Sequence, residues 1–442
     1  MRPYAYRHPV SLIVGLGLVA VASVLACTDI TSLKQENPGA LSGATLYVPA
    51  NAQLVVNGSI SDFECAYARY VVGSGLFADE LSVAIANTAN FDFDARRVLT
   101  NAPYGTSNCA ATPSSTQQPG IYTPLSTARA TADTAAAYLE TFTDAAVVNR
   151  TKLLGQTYAY AGYSLILLGE GMCSAAINLG PEINPAQIFA EAKSRFDKAV
   201  TDATAANDAT TLNLARVGRA RTLLDLGGAA NLAAAAADAA LVPATFVVNT
   251  SPDAINARRQ NALFIAISQN AFSTVDTAFR NVLVPGGTTQ DPRVAVTDLA
   301  RNGTAVPSRI WLPAKSSTNA TAMRVASYAE AQLIIAENAA SIGDLAGAVT
   351  AINNARARTA GVPAYVLPGG ATAADVKTQI IEERRRELFV EGHRLGDMRR
   401  YGLAFLPLAG SAYQYGGNYG SQTCFPLPDV ERINNPTIAK GG

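Results

Sequence analysis

A chain of 442 residues, 49% hydrophobic and only 15% charged, carries enough apolar side chain to bury a large core, which excludes a globally disordered protein. Lysine plus arginine and aspartate plus glutamate both number 34, so no long-range positive field draws the chain to nucleic acid and no such partner is expected. The only histidines are His8 and His393, which rules out zinc held by several histidines.

The chain begins with a basic segment containing Arg2 and Arg7, continues with an uncharged run from Pro9 to Ala26, and reaches Val24-Leu25-Ala26-Cys27. This layout predicts a secretory signal peptide over residues 1–26. The apolar run falls short of the ~20 residues that span hydrocarbon comfortably. Its end is similar to a lipoprotein signal box, in which the cysteine becomes the acylated first residue. Lipidation is therefore expected at Cys27, followed by a lipidated tether over 27–38 and a single domain over 39–442. Cys65, Cys109, Cys173 and Cys424 remain after cleavage. In an oxidising compartment they permit up to two disulfides with three possible pairings, and buried free thiols are the alternative.

From the tether to about Ser115 the chain mixes small and turn residues without a sustained period, and short helices and loops are expected. From Leu125 onward it becomes strongly helical. Arg150 to Leu168 is apolar on most faces, which predicts a helix inside the body of the fold. Pro185 to Ala206 supplies a partner through Ile188, Ala192, Phe196 and Ala199, which share one helical face. The design recurs. Leu212 to Leu226 is closed by Gly227-Gly228 and followed by Asn231 to Ala240, and Arg324 to Ala340 is closed by Ser341 to Asp344 and followed by Leu345 to Arg358. Ala329, Ala336, Ala348 and Ala355 let such antiparallel helices approach closely.

The expected fold is mainly α: tetratricopeptide-like helix pairs stacked into a superhelix, with irregular loops and a few short β-hairpins over 241–260, 284–313, 361–370 and 408–420. No Pro/Ser-rich linker divides the chain.

The most distinctive segment runs from Val376 to Gly402, VKTQIIEERRRELFVEGHRLGDMRRYG. Placed on one helix, Ile380, Arg384, Glu387, Glu391 and Arg394 form a single stripe, flanked by Ile381, Leu388 and Leu395. Those apolar flanks tuck the charges against neighbouring helices, and buried charges persist only when paired. Glu387 and Glu391 are therefore expected to bond Arg384 and Arg394, or an arginine elsewhere.

Four stretches carry a family resemblance. ERRRELFVEGHRLGDMRRYG (Glu383 to Gly402) looks like a Glu-Arg-x-x-Glu-Leu…Glu-Gly-His-Arg…Asp…Arg-x-Gly signature, and RVASYAEAQLIIAE (Arg324 to Glu337) looks like its preceding helix. Ile352-Asn353 with Arg356 and Arg358, and Phe425-Pro426-Leu427-Pro428 with Glu431 and Asn435-Pro436, follow the same pattern. In these the chain resembles the SusD/RagB nutrient-binding outer-membrane lipoproteins, while residues 40–310 match only as helix pairs. The resemblance implies a tetratricopeptide-like scaffold, lipid-anchored to the outer membrane and facing the cell exterior. Such a scaffold caps a TonB-dependent SusC-like transporter and hands it oligosaccharides or peptides. It also implies that Arg384, Glu387, Glu391, His393, Arg394 and Asp397 are structural and not ligand contacts.

Glycan binders stack aromatic rings on sugar faces, so Trp311, in the loop from Pro307 to Lys315, and Tyr413, Tyr415 and Tyr419, in the Gly-rich AYQYGGNYGSQTC, are the ligand-contact candidates. Against this, Trp311 can plug core and the tyrosines can clothe a loop. The 7% aromatic content weakens a starch-like platform and leaves peptides open. Asp79 and Glu80 suit either a polar site or a helix end.

No Gly-x-Ser-x-Gly elbow, His-Glu-x-x-His pair, phosphate loop or dinucleotide fingerprint occurs, so no catalytic residue, metal or cofactor is assigned and no enzyme is expected. Adjacent carboxylates such as Glu382-Glu383 diverge by about 100° on a helix and seldom converge on one bond. Besides a surface glycosidase or peptidase using carboxylates alone, the remaining alternative is a structural or adhesive tetratricopeptide-type surface assembly protein.

Overall fold

The computed structural model describes residues 43–438 except 86–87, 108, 110–119 and 305–307. The expected signal peptide, tether and Cys27 lie outside the described residues. The chain divides into residues 1–48 and 49–442. Of the first unit, Gly43–Leu46 form one helical turn.

The second unit opens with α1 (Ala52–Phe77), followed by α2 (Thr88–Asp94), α3 (Tyr122–Thr141), α4 (Arg150–Gly171), α5 (Pro185–Ala205), α6 (Ala209–Leu226) and α7 (Ala229–Ala240). After a segment of strands and turns come α8 (Tyr328–Ser341), α9 (Leu345–Arg356), α10 (Ala373–Glu387), α11 (Arg394–Tyr401) and α12 (Asp429–Asn434). Each of α3 to α9 packs on the next in sequence, α10 returns to α8, and α1 lies against α3 and α4. This is the stack of helix pairs that the spacing predicts.

Local chemistry sets the boundaries. Asn184 and Gln187 form a reciprocal capping box ahead of Pro185 at the start of α5. Thr372 and Asp375 do the same for α10. Gly227 and Gly228 stop α6 at positive φ, where a side chain would strain the backbone.

The closeness of the pairs depends on missing side chains. Phe196 of α5 inserts between Gly162 of α4 and Gly218 of α6, and a Cβ at either glycine would overlap its ring. Tyr163 packs edge-on against the same ring at 5.2 Å and donates its hydroxyl to Leu214 O at 3.0 Å.

Three expectations need correction. The first is the region before Ser115, which was expected to lack a sustained helix but contains the 26-residue α1. Nearly every residue from Phe63 to Phe77 is buried, so no polar face marks a period. The second is Arg324 to Ser327, which is not helical but forms strand β8, paired with β4 (Val247–Asn249). The third is the signature segment, which is not one helix. It breaks at 388–393, where Val390 and Gly392 take positive φ, before α11 begins.

The remaining strands are short. β1 (Leu81–Val83) pairs with β5 (Ser273–Val275), β2 (Ala175–Ala176) with β3 (Glu182–Ile183), and β6 (Val296–Asn302) with β7 (Arg309–Pro313). Both β1–β5 and β4–β8 join distant segments, so they are not hairpins. Disulfides Cys65–Cys109 and Cys173–Cys424 resolve the open pairing, the second bridging 251 residues and tying the end of α4 to the C-terminal segment.

Gly218→Ala should destabilise the protein by about 1–3 kcal/mol, because the core cannot admit the methyl beside Phe196. Guanidinium denaturation measures this, and adding Phe196→Leu should recover part of the loss. An unchanged midpoint for the single variant would refute the close-approach argument.

Candidate functional site

The break at 388–393 exists because charges hold it. Arg324 at the start of β8 donates Nε to Glu391 Oε2 at 2.8 Å, Nη2 to Glu391 Oε1 at 2.6 Å, and Nη1 to Glu387 Oε1 at 3.1 Å. Lys315 adds bonds of 2.7 Å to Glu391 Oε1 and to the Glu387 carbonyl. The tyrosine hydroxyl of Tyr67 on α1 reaches the carbonyls of both Arg324 and Glu391. Burial raises the Glu391 carboxyl, but Arg324 and Lys315 outweigh it and hold the pKa below the usual range. Burial prevails at Glu387, whose pKa is raised and whose Oε2 has no hydrogen-bond partner among the described residues.

The partners thus differ from the nearest expectation. Arg384 pairs with Asp397 at 2.8 Å, and Arg394 holds Asp79 by two bonds of 2.6 Å. The arginine elsewhere is Arg324, some sixty residues upstream in the sequence. His393 lies buried with Arg221 Nη1 at 3.2 Å from its Nε2, and that arginine also grips Glu170 through Nε at 2.6 Å. Because Arg221 only donates, Nε2 must accept, and burial with the surrounding cations keeps the ring neutral by pushing its pKa well down. Glu80 accepts the Val390 N–H at 2.7 Å, which secures the strained turn, and burial raises its pKa to about 8.

This network braces a cleft of about 760 Å³, a volume that suits a small ligand. Its walls come from the end of α1 and β1 (Asp79, Ser82), from Asp94, from β5 and the turn after it (Thr274, Asp276, Arg280), from Ser308 and Arg309, and from the loop at Leu406, Gln414 and Tyr419. Thr274 ties β5 to β7, donating to Arg309 O and accepting from Trp311 N, both at 2.8 Å. Asp94 accepts the Val83 N–H at 3.0 Å and the Tyr413 hydroxyl at 3.2 Å. Burial, with Asp276 nearby, lifts its carboxyl to about 6.

Of the four aromatic candidates, only Tyr419 lines this cleft. Its ring lies over the Arg96 guanidinium at 4.9 Å, and Arg96 in turn donates to the Leu406 and Pro407 carbonyls. Tyr413 is buried, 3% exposed, with its ring 5.1 Å from that of Tyr419, and it acts as the core beneath the platform. Tyr415 stacks on Phe91 at 4.7 Å. Trp311 is half-buried against the core behind Arg280, whose guanidinium lies 5.7 Å from the indole centroid. The four are therefore not one platform. The sequence reading missed Asp94, Asp276, Arg280 and Arg309, which are brought together by the pairing of β1 with β5 and by the Thr274 side-chain bonds that tie β5 to β7. Among the described residues no group of three His, Cys, Asp or Glu side chains is placed to hold a metal ion.

Residues 281–437 match the model of the SusD family. Over this C-terminal part the chain is similar to the SusD/RagB family. Its fold is similar to a SusD superfamily protein from Bacteroides fragilis, with a TM-score of 0.69, 16% identity, and coverage of 89% of this chain and 99% of that one. A SusD superfamily protein from Bacteroides vulgatus gives a TM-score of 0.64 at 16% identity over 88% and 98% of the two chains. Surface glycan-binding protein A from Bacteroides uniformis gives 0.64 at 15% identity, over 88% and 98%. Among curated proteins no relative matches. The SusD-like match covers the signature segment, β6 to β8 and part of the cleft, whereas the N-terminal helices share the fold without a sequence match.

Two outcomes follow for this SusD-like fold. Arg324→Ala leaves Glu387 and Glu391 buried without their main counter-charge and should cost about 3–5 kcal/mol in denaturant unfolding. A loss below about 1 kcal/mol would contradict the buried pairing. For Glu80, the folded pKa is raised, so the folded protein keeps a proton that the unfolded chain releases. Its stability is therefore lost as pH rises from the ordinary carboxyl range toward about 8. Glu80→Gln keeps an oxygen for Val390 and cannot ionise. Its melting temperature should gain on the parent across that window and level off above it, whereas parallel curves would rule the assignment out.

Proposed function

We propose that the protein is a cell-surface nutrient-binding lipoprotein that captures oligosaccharide in the cleft beside Tyr419 and delivers it to a TonB-dependent SusC-like transporter. The carrying observation is the cleft's lining: one ring backed by a cation, surrounded by Ser82, Asp94, Asp276, Ser308, Arg309 and Gln414. Sugars present apolar C–H faces and rings of hydroxyls, and this set offers a stacking surface plus donors and acceptors for both. The glycan-binding name of the Bacteroides uniformis relative supports carbohydrate over peptide.

In this reading residues 1–26 direct export, Cys27 carries the acyl chains, 27–38 is the tether, and the remainder to residue 442 is the binding domain. Among the described residues no helix is long and apolar enough to cross a membrane.

Isothermal titration and affinity electrophoresis against oligosaccharide and peptide panels test the proposal. Binding to at least one glycan is expected, and Tyr419→Ala should weaken it by roughly two- to tenfold, the worth of about 0.5–1.5 kcal/mol for a stacked ring. Binding of peptides alone, or a Tyr419→Ala variant that binds glycan undiminished, would overturn the site assignment. Cleavage of any glycan by purified protein would overturn the non-enzymatic reading.

A further inference from the structure

The charges lining the cleft are unequally satisfied. Asp79 is held by two bonds from Arg394. Asp94 takes the Val83 N–H and the Tyr413 hydroxyl. Asp276 takes the Ala278 N–H at 2.9 Å and the Thr277 hydroxyl at 3.3 Å. Arg280 is different. Its Nε donates to Val275 O at 2.8 Å, its guanidinium lies by the Trp311 ring, and it forms no salt bridge among the described residues. Its two terminal nitrogens carry no hydrogen bond there. Burial lowers its pKa, and Asp276 and Asp298 offset this only in part, as expected of a cation taken from water without a full counter-charge.

Arg309 stands two residues before Trp311 on β7, hence on the same face of the strand. Its Nε is taken by Asp298 at 2.7 Å, and its terminal nitrogens are also unbonded among the described residues. Two guanidiniums with open forks therefore line one cleft.

We propose that the cleft selects acidic glycans, with Arg280 receiving a ligand oxyanion, the carboxylate of a uronic acid or a sulfate ester, and Arg309 supplying the second cation. This rests on the carbohydrate reading given above and narrows its ligand class. A guanidinium presents parallel N–H donors that match an oxyanion at two points. Contact with the indole and the bond to Val275 fix the plane of Arg280 before any ligand arrives, so little rotamer freedom is lost on binding. Asp94 and Asp276 remain as acceptors for the sugar hydroxyls.

Titration of the mature protein with length-matched galacturonate, sulfated galactan, xylan and maltose-type oligosaccharides tests this. Acidic oligosaccharides should bind at least roughly tenfold tighter than neutral ones, and high salt should shrink that margin. Comparing the uronate and sulfate arms identifies the oxyanion. Arg280→Ala should lower affinity for the acidic ligand by roughly tenfold, and Arg280→Lys should restore only part of it because the fork is lost. Melting temperatures of both variants without ligand separate misfolding from lost contact. Neutral glycans binding as tightly as acidic ones, or a folded Arg280→Ala that keeps the acidic preference, would overturn the inference while leaving carbohydrate capture intact. Failure of every glycan to bind would remove both.

Discussion

The pairing of Arg324 with Glu387 and Glu391 is the constraint on which the rest of the structure depends. Both glutamates are almost wholly buried, and Arg324 and Lys315 meet them from the far side of the chain. Taking such charges out of water is costly, and the cost is recovered only in one geometry. That geometry fixes where α10 ends, where β8 begins, and how the turn at 388–393 is folded. From the turn, Glu80 and Asp79 carry the constraint to the start of β1 through Val390 and Arg394. The cleft wall is therefore set by a charge network and not by packing alone.

A second network of the same kind lies beneath α10. Glu383 is gripped by Arg293 and Arg356, and Asp291 by Arg293 and Arg386. It locks the long irregular segment between α7 and α8 to the helical stack. The helix pairs supply a rigid frame, and the charged locks attach to it the loops that carry binding. Loops held in this way can present polar side chains in a defined arrangement without regular secondary structure of their own.

What could be read from sequence follows from the range of the interactions. The helix α5 shows itself because it buries one face, Ile188, Ala192, Phe196 and Ala199, and leaves the other wet, whereas α4 shows itself as a long, almost uncharged apolar run closed by helix-compatible residues. The helix α1 escapes notice because burial on all sides erases the period. The charge ladder is legible as a ladder, since its members sit three or four residues apart, yet its main partner Arg324 is a long-range contact that no local spacing predicts. The cleft is the least legible feature. Asp94, Arg280, Arg309 and Tyr419 come from four separate segments, brought together by strands of three to five residues. Trp311 and Tyr413 draw attention as aromatics in loop-like sequence, but they serve as the backing for Arg280 and Tyr419.

Native-state hydrogen exchange followed by mass spectrometry tests most directly whether the charge network is the keystone. Peptides covering 79–83, 324–327 and 388–393 should exchange slowly and open together, with a free energy near that of global unfolding. Early, independent exchange at 388–393 while α4 to α6 stay protected would contradict the account, because the turn would then be an appendage of the fold.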